Sequence, residues 1–165
     1  SNSQALKSLE AAKNLIDRLK TYPQTSEAYA EMGIFFFEYG NSKLALEYLE
    51  KALEMDPENA NGKRCLKWVR DMSRIENNPI TLPVETLKKF VGDYGLRHIT
   101  IRDNILYYKR DGRSEFRLMP INKDTFALKG KNDFRLHFLS DEKGEVIKII
   151  GLYLNGRQDE SPRDK

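Results

Sequence analysis

The sequence predicts an α+β chain whose helices and strands are segregated: antiparallel helices over 3–77, then an antiparallel barrel or half-barrel over 83–157. Three observations carry this. Up to Asn77, apolar residues recur at three and four, the period of a helix with one buried face. Asn77-Asn78-Pro79, followed by Pro83, breaks that pattern. Beyond Arg97 the period falls to two, and Gly, Asn and Asp clusters cut the chain into short runs, as in an antiparallel sandwich or barrel.

The first helix is predicted over Gln4–Thr21, where Leu6, Leu9, Ala12, Ile16 and Leu19 form one stripe between charged residues. Thr21-Tyr22-Pro23 closes it. The stretch Ser26–Glu58 organises the rest. Tyr29, Met32 and Phe36 recur at i, i+3 and i+7 on one helix face. Gly33 and Ala45 lack bulk, so two antiparallel helices approach closely where they cross. Gly40 ends the first of these with a left-handed cap, and Asn41-Ser42 offers the next N-cap. Asp56-Pro57 ends the second, because the residue before proline is pushed out of the α region. A further helix spans Asn59–Glu76, with Cys65, Leu66, Val69, Met72 and Ile75 as its stripe and Trp68 beside it.

The spacing Tyr29-x2-Met32-Gly33-x2-Phe36, then Ala45-x3-Leu49, Ala52 and Pro57, resembles the tetratricopeptide repeat, a helix–turn–helix unit of about 34 residues. Counted back from Pro23, Ala11 and Leu15 fall on the small and large positions of an earlier repeat's second helix; a plain amphipathic cap is the alternative. Lys67 stands at the glycine position of the following helix, which fits a terminal helix closing the stack. The resemblance implies a protein or peptide partner and a groove on the inner face of the repeat's first helix, carrying Glu27, Ala30, Ile34 and Phe37. Such a groove is apolar with acidic edges. The alternative, favoured by the rarity of exposed aromatic patches, is that the β-domain or a further repeat covers this face of the Phe35-Phe36-Phe37 run.

In the second half, Val84–Phe90 is a short helix with Leu87 and Phe90 on one face. Strands follow at Arg97–Arg102, Ile105–Lys109, Glu115–Ile121, Thr125–Leu128, Phe134–Leu139 and Glu145–Leu154, each separated by turn residues. Ile99 and Ile101, Phe116 and Leu118, and Phe134, Leu136 and Phe138 point inward by parity. The charged tail after Gln158 is expected to fray. Trp68, Val69, Met72 and Ile75 are the expected docking surface for this half, with Leu87 and Phe90 opposite.

Phe90-Val91-Gly92-Asp93-Tyr94, Ile99-x-Ile101 with Leu106, Phe116-x-Leu118-x-Pro120, Asp124-x-Phe126 and Phe134-x-Leu136-x-Phe138 resemble a small lipocalin-like β-domain. That domain is appended to bacterial β-lactamase-like and penicillin-binding-like serine hydrolases and to some secreted peptidases. The resemblance spans roughly half the chain and implies an antiparallel barrel of about eight strands. It also implies a periplasmic or secreted setting, while the single Cys65 is equally compatible with the cytoplasm, and a catalytic domain elsewhere in the polypeptide; Ser1-Asn2 in place of an initiator Met reads as a cloning scar before an excised fragment or mature form.

The chemistry expected of the residues is binding rather than turnover. Net charge is +3, from 28 basic and 25 acidic residues, with 11 and 12 of them before residue 79. Neither half reaches the basicity of a nucleic-acid footprint. No apolar run approaches the roughly 18 residues of a membrane span, so no membrane insertion is expected. Cys65 has no partner for a disulfide, and its place on an apolar stripe makes it a buried small hydrophobe. Ser140-x-x-Lys143 copies an acylating motif but falls in a turn. His98 and His137 lie on different strands with outward parity, which gives no metal spacing. No catalytic residue, metal or cofactor is assigned. Tyr94, Tyr107, Tyr108, Phe126 and Tyr153 are candidates for a barrel mouth, although a barrel this small is also filled by its own side chains. The expected function is a non-catalytic protein-interaction or scaffolding module attached to a secreted serine hydrolase. The alternatives are a small-ligand-binding barrel with a helical docking arm, and a hydrolase with an unrecognised site.

Overall fold

The computed structural model describes Glu10, Asn14 and residues 24–165. The helix expected over residues 4–21 therefore lies outside the described residues. Helices α1 (Ser26–Glu38), α2 (Ser42–Met55), α3 (Ala60–Asn77) and α4 (Val84–Phe90) precede an eight-stranded antiparallel sheet, giving the segregated α+β order. The chain forms two compact units that divide between Leu66 and Lys67, within α3.

The first unit is built on the α1–α2 hairpin. The Thr25 side chain caps α1 by accepting from the Ala28 N–H at 3.2 Å. Gly40, at φ +79°, turns the chain, and the Asn41 side chain caps α2 by accepting from Leu44 N–H. The two helices cross at Gly33: a Cβ there would run into the Leu49 side chain and lie 3.1 Å from the Ala45 carbonyl oxygen. Tyr29, Met32, Phe36, Ala45, Leu49 and Ala52 are buried, with the Tyr48 ring stacked 5.3 Å from that of Phe36. A buried polar chain ties the elements together. Ser26 Oγ donates to the Ala52 carbonyl at 2.8 Å, Asn59 Nδ2 donates to Ser26 Oγ at 2.8 Å, and the Gly62 N–H donates to Asn59 Oδ1.

The second unit begins with the remainder of α3. Trp68, Val69, Met72 and Ile75 are buried, as their spacing requires. The group facing Trp68 is Arg135 of β6, whose guanidinium lies 4.1 Å from the indole ring, donates to the Trp68 carbonyl at 2.9 Å and pairs with Asp71 at 2.8 Å. Leu87 and Phe90, expected opposite this helix, instead enter the barrel core, where Phe90 meets Phe138 and Phe126 with ring centroids 4.5 and 5.3 Å apart. Parity explains the difference. Arg135 alternates with the inward Phe134 and Leu136, so it is the outer face of β6 that meets α3.

The strands are β1 (Gly92–Tyr94), β2 (Arg97–Arg102), β3 (Ile105–Arg110), β4 (Phe116–Pro120), β5 (Thr125–Leu128), β6 (Lys131–Ser140), β7 (Val146–Tyr153) and β8 (Gln158–Pro162). They pair in sequence order, an up-and-down arrangement. The turn from β2 to β3 uses Asp103 and Asn104, both at positive φ, as a two-residue hairpin requires. The tail expected to fray is the ordered strand β8, paired with β7 from Lys148↔Pro162 to Leu152↔Gln158. Backbone pairing, with Lys148–Glu160 at 2.7 Å, orders a segment whose composition is polar. Beyond it the sheet nearly closes: the Asp164 N–H donates to the Asp93 carbonyl at 2.9 Å, and the Arg163 guanidinium donates to that of Val91 at 2.7 Å. The interior is packed with Tyr94, Ile99, Leu106, Leu118, Phe126, Leu136, Phe138 and Ile149.

Candidate functional site

One region of the barrel is not filled. β3, β4, β6 and β7, with the turns after β3 and β7, surround a cavity of about 430 Å³ lined by Tyr108, Arg110, Arg113, Ser114, Phe116, Lys131, Phe134, Tyr153 and Arg157. Alternation on the strands places the walls. Tyr108 and Arg110 share a face of β3, Tyr108 stands opposite Phe116 of β4, and Phe134 of β6 stands opposite Tyr153 of β7. The rings of Tyr108 and Tyr153 lie 5.9 and 4.9 Å from that of Phe134. Turn residues Arg113, Ser114 and Arg157 are exposed at the edge.

The cavity is cationic. Lys131 is paired with Asp133 at 2.8 Å, and the Arg157 guanidinium lies 4.0 Å from the Tyr153 ring. Among the described residues, neither Arg110 nor Arg113 makes a side-chain hydrogen bond or ion pair. A buried ion pair adjoins the walls. Arg97 of β2, directly opposite Arg110, pairs with Asp159 of β8 at 2.5 Å, and the Tyr153 hydroxyl donates to the other oxygen of Asp159 at 2.9 Å. Burial would raise Asp159, but the hydrogen bonds from Arg97 and Tyr153 and their charge environment hold it below the usual carboxylate range. Burial raises Tyr108 above the ordinary phenol value, against the opposing charges of Arg97 and Arg110. Gly151 makes room for the pair: a Cβ there would collide with Asp159 and come within 2.9 Å of Arg97 Nη2 and 3.0 Å of the Phe134 ring. Arg97 Nη1 is buried and makes no hydrogen bond among the described residues, although the Tyr108 hydroxyl interacts with the Arg97 guanidinium.

Of the five aromatics expected at a mouth, Tyr108 and Tyr153 line the cavity. Tyr94 and Phe126 are core residues, 0% and 1% exposed. Burial pushes the Tyr94 phenol up to about 12, and its hydroxyl donates to the Phe90 carbonyl at 3.0 Å. Tyr107 alternates with Tyr108 and lies on the outer face under the Arg102 guanidinium, 3.9 Å away. The residues missed by sequence reasoning are the arginines. Arg97 shares parity with Ile99, and Arg110 with Tyr108 and Leu106, so the inward assignment was present in the alternation. Arg113 and Arg157 sit in turns, where no sequence signal marks them.

The expected groove on α1 is divided. Glu27 is exposed and Ile34 half-buried, whereas Ala30 and Phe37 are 1% and 0% exposed, so these four do not share an open surface. Pro57 is exposed in the turn after α2. His98 and His137 are half-buried outside the cavity. His98 lies between Asp93 at 2.7 Å and Asp111 at 2.9 Å, and His137 contacts Thr125 at 3.1 Å. Ser140 ends β6 and Lys143 sits in the following turn. Cys65 is buried. Among the described residues, no group of three or more His, Cys, Asp or Glu side chains is placed to hold a metal ion. No helix among them is long and apolar enough to cross a membrane.

Such a lining combines aromatic walls with cationic groups. Aromatic walls accept a flat or hydrocarbon group. Guanidinium forks present paired donors to carboxylate, sulfonate or phosphate oxygens. The lining contains neither a carboxylate nor an imidazole to move a proton. No protein-family model matches the sequence, and no curated protein matches it.

Proposed function

We propose that the β-domain is a non-catalytic binding module that takes a small anionic organic ligand, apolar or aromatic in its body, at the open end of its barrel. The observation carrying this reading is the cavity of about 430 Å³ with Tyr108, Phe116, Phe134 and Tyr153 as walls and Arg110, Arg113 and Arg157 at its rim. It lies in the size range of small-molecule sites, roughly 300–1,000 Å³. Eight strands paired in sequence order support a lipocalin-like identity, and the crossing at Gly33 beside Ala45 and Leu49 supports reading α1–α2 as a tetratricopeptide hairpin. On that reading the helices are a docking arm for a protein or a linked hydrolase domain, in a periplasmic or secreted setting.

The test is calorimetric titration with 8-anilinonaphthalene-1-sulfonate, an aromatic sulfonate. Saturable one-to-one binding is expected. Ser114→Trp, an exposed turn position on the cavity edge, would plug the site without entering the core and should abolish binding. Equal binding by this variant and the parent, or no saturable binding by the parent, would remove the proposal.

A further inference from the structure

Arg97 and Asp159 do not line the cavity, but each meets side chains that do. The Tyr153 hydroxyl donates to one oxygen of Asp159 at 2.9 Å, and Arg97 Nη2 donates to the other at 2.5 Å. The Arg97 guanidinium in turn lies 5.7 Å from the Phe134 ring centroid and interacts with the Tyr108 hydroxyl. Asp159 therefore reaches three of the four aromatic walls, one directly and two through Arg97, and its charge also acts on Arg110 of the lining. The strands explain how. On β8 the half-buried Asp159 alternates with exposed Gln158 and Glu160. It stands opposite Gly151 of β7, where a Cβ would collide with the carboxylate and crowd Arg97 Nη2 and the Phe134 ring. The missing side chain leaves the space in which the carboxylate of β8 meets the arginine of β2.

We infer that Asp159 and Arg97 are positioning residues of the candidate site: they hold Tyr153, Phe134 and Tyr108 as preformed walls, so that the cavity's affinity for an aromatic body is set from β8, a strand that contributes no lining residue. This deepens the binding reading above and rests on it. Stability alone does not call for the pair, because apolar side chains of similar volume often serve as well at such a position. What the pair adds is direction. Tyr153 is half-buried near the end of its strand, and the tether at its hydroxyl holds the ring in one rotamer beside Phe134, with centroids 4.9 Å apart. Preformed walls bind more tightly because binding then need not order the rings. The tether also limits what Tyr153 offers. Its one hydroxyl hydrogen is given to Asp159, so a ligand meets a ring face there and no donor.

The test is calorimetric titration of the full chain with 8-anilinonaphthalene-1-sulfonate, with the melting temperature recorded for every variant. Asp159→Asn keeps the side-chain shape and removes the charge that holds Arg97 and Tyr153. Tyr153→Phe keeps the wall and removes only its tether. Each should weaken binding about fivefold or more, the scale of one hydrogen bond. The double variant should bind no more weakly than the weaker single variant, because both changes break one link. Glu160→Gln is the control: it loosens the neighbouring β7–β8 pair Lys148–Glu160, 2.7 Å apart, at an exposed position, and should leave affinity unchanged. Should Asp159→Asn fail to fold, Tyr153→Phe decides by itself. Parental affinity in Tyr153→Phe or in a folded Asp159→Asn, additive losses in the double variant, or an equal loss in Glu160→Gln overturns the inference while the cavity still binds. No saturable binding by the parent overturns the binding reading and this inference with it.

Discussion

Arg135 is the group on which α3 and the outer face of β6 depend, and its removal makes a quantitative prediction. Its guanidinium is bound to Asp71 at 2.8 Å and to the Trp68 carbonyl at 2.9 Å, with the indole ring 4.1 Å away. Its side chain is 5% exposed and that of Asp71 16%. Arg135→Met retains much of the apolar stem and removes the donors. Breaking a buried pair from one side costs roughly 3–5 kcal/mol. Asp71 is not fully buried and keeps Lys67 at 3.4 Å and Arg74 at 3.7 Å, which argues for the lower end, about 3 kcal/mol. Urea denaturation followed by far-ultraviolet circular dichroism measures the loss. Trp68, the only tryptophan, reports the same contact and should shift its emission to the red. The pH dependence has a definite sign. Burial would raise the Asp71 carboxyl, but hydrogen bonding and charge from Arg135 and Lys67 outweigh it and hold the group below its ordinary range. Its contribution is therefore present above the unfolded-state value of about 3.9 and is lost as pH falls through the folded value. The gap between parent and Arg135→Met should narrow in acid. Arg135→Met combined with Asp71→Asn should cost less than the two single changes added together. A loss below about 1 kcal/mol, or simple additivity, would refute the argument that this pair carries the contact.

Two further outcomes follow from single positions. Gly33→Ala should destabilise the helical hairpin by about 1–3 kcal/mol, because its methyl group meets the Leu49 side chain and the nearby Ala45 backbone; an unchanged melting temperature would show that α1 and α2 do not cross there. His98 should titrate above the ordinary histidine value, because hydrogen bonds to Asp93 and then Asp111 favour its charged form. Any stability it contributes is present below about pH 6.5 and is lost as pH rises through the folded value; Asp111→Asn should lower the titration midpoint seen by nuclear magnetic resonance, and no movement would remove Asp111 from the account.

What the sequence made legible is what repeats. Helix period, the Gly40 and Asn41 caps and the Asp56-Pro57 stop place α1 and α2 within a residue or two of where they lie. Alternation placed six strands and the inward aromatics. It did not place β8, because Gln158–Pro162 has no apolar face of its own and is a strand through pairing with β7. It did not locate β1 either: Gly92–Tyr94 is three residues long, too short for any period to register. Composition describes side chains, whereas an edge strand is held by backbone hydrogen bonds that any side chain permits.

Tyr108 and Tyr153 of the candidate site were legible, but its charged residues were passed over for the opposite reason: they break the apolar pattern that reveals everything else. Arg97, Arg110 and Asp159 occupy inward positions where alternation asks for apolar residues, and a reader following hydrophobicity passes over them. Physically they are the more informative positions. An inward charge in a small barrel is tolerable only where it is paired, hydrated or awaiting a partner. At one level of this barrel Arg97 is paired with Asp159, while Arg110 opposite it lines the cavity. Toward the other end of the same strands Ile99, Leu106 and Leu136 belong to the buried core. The strands thus run from an apolar interior to a charged one, and the position of that change, readable as charged residues in phase with apolar ones, marks where an antiparallel barrel stops being a core and becomes a site.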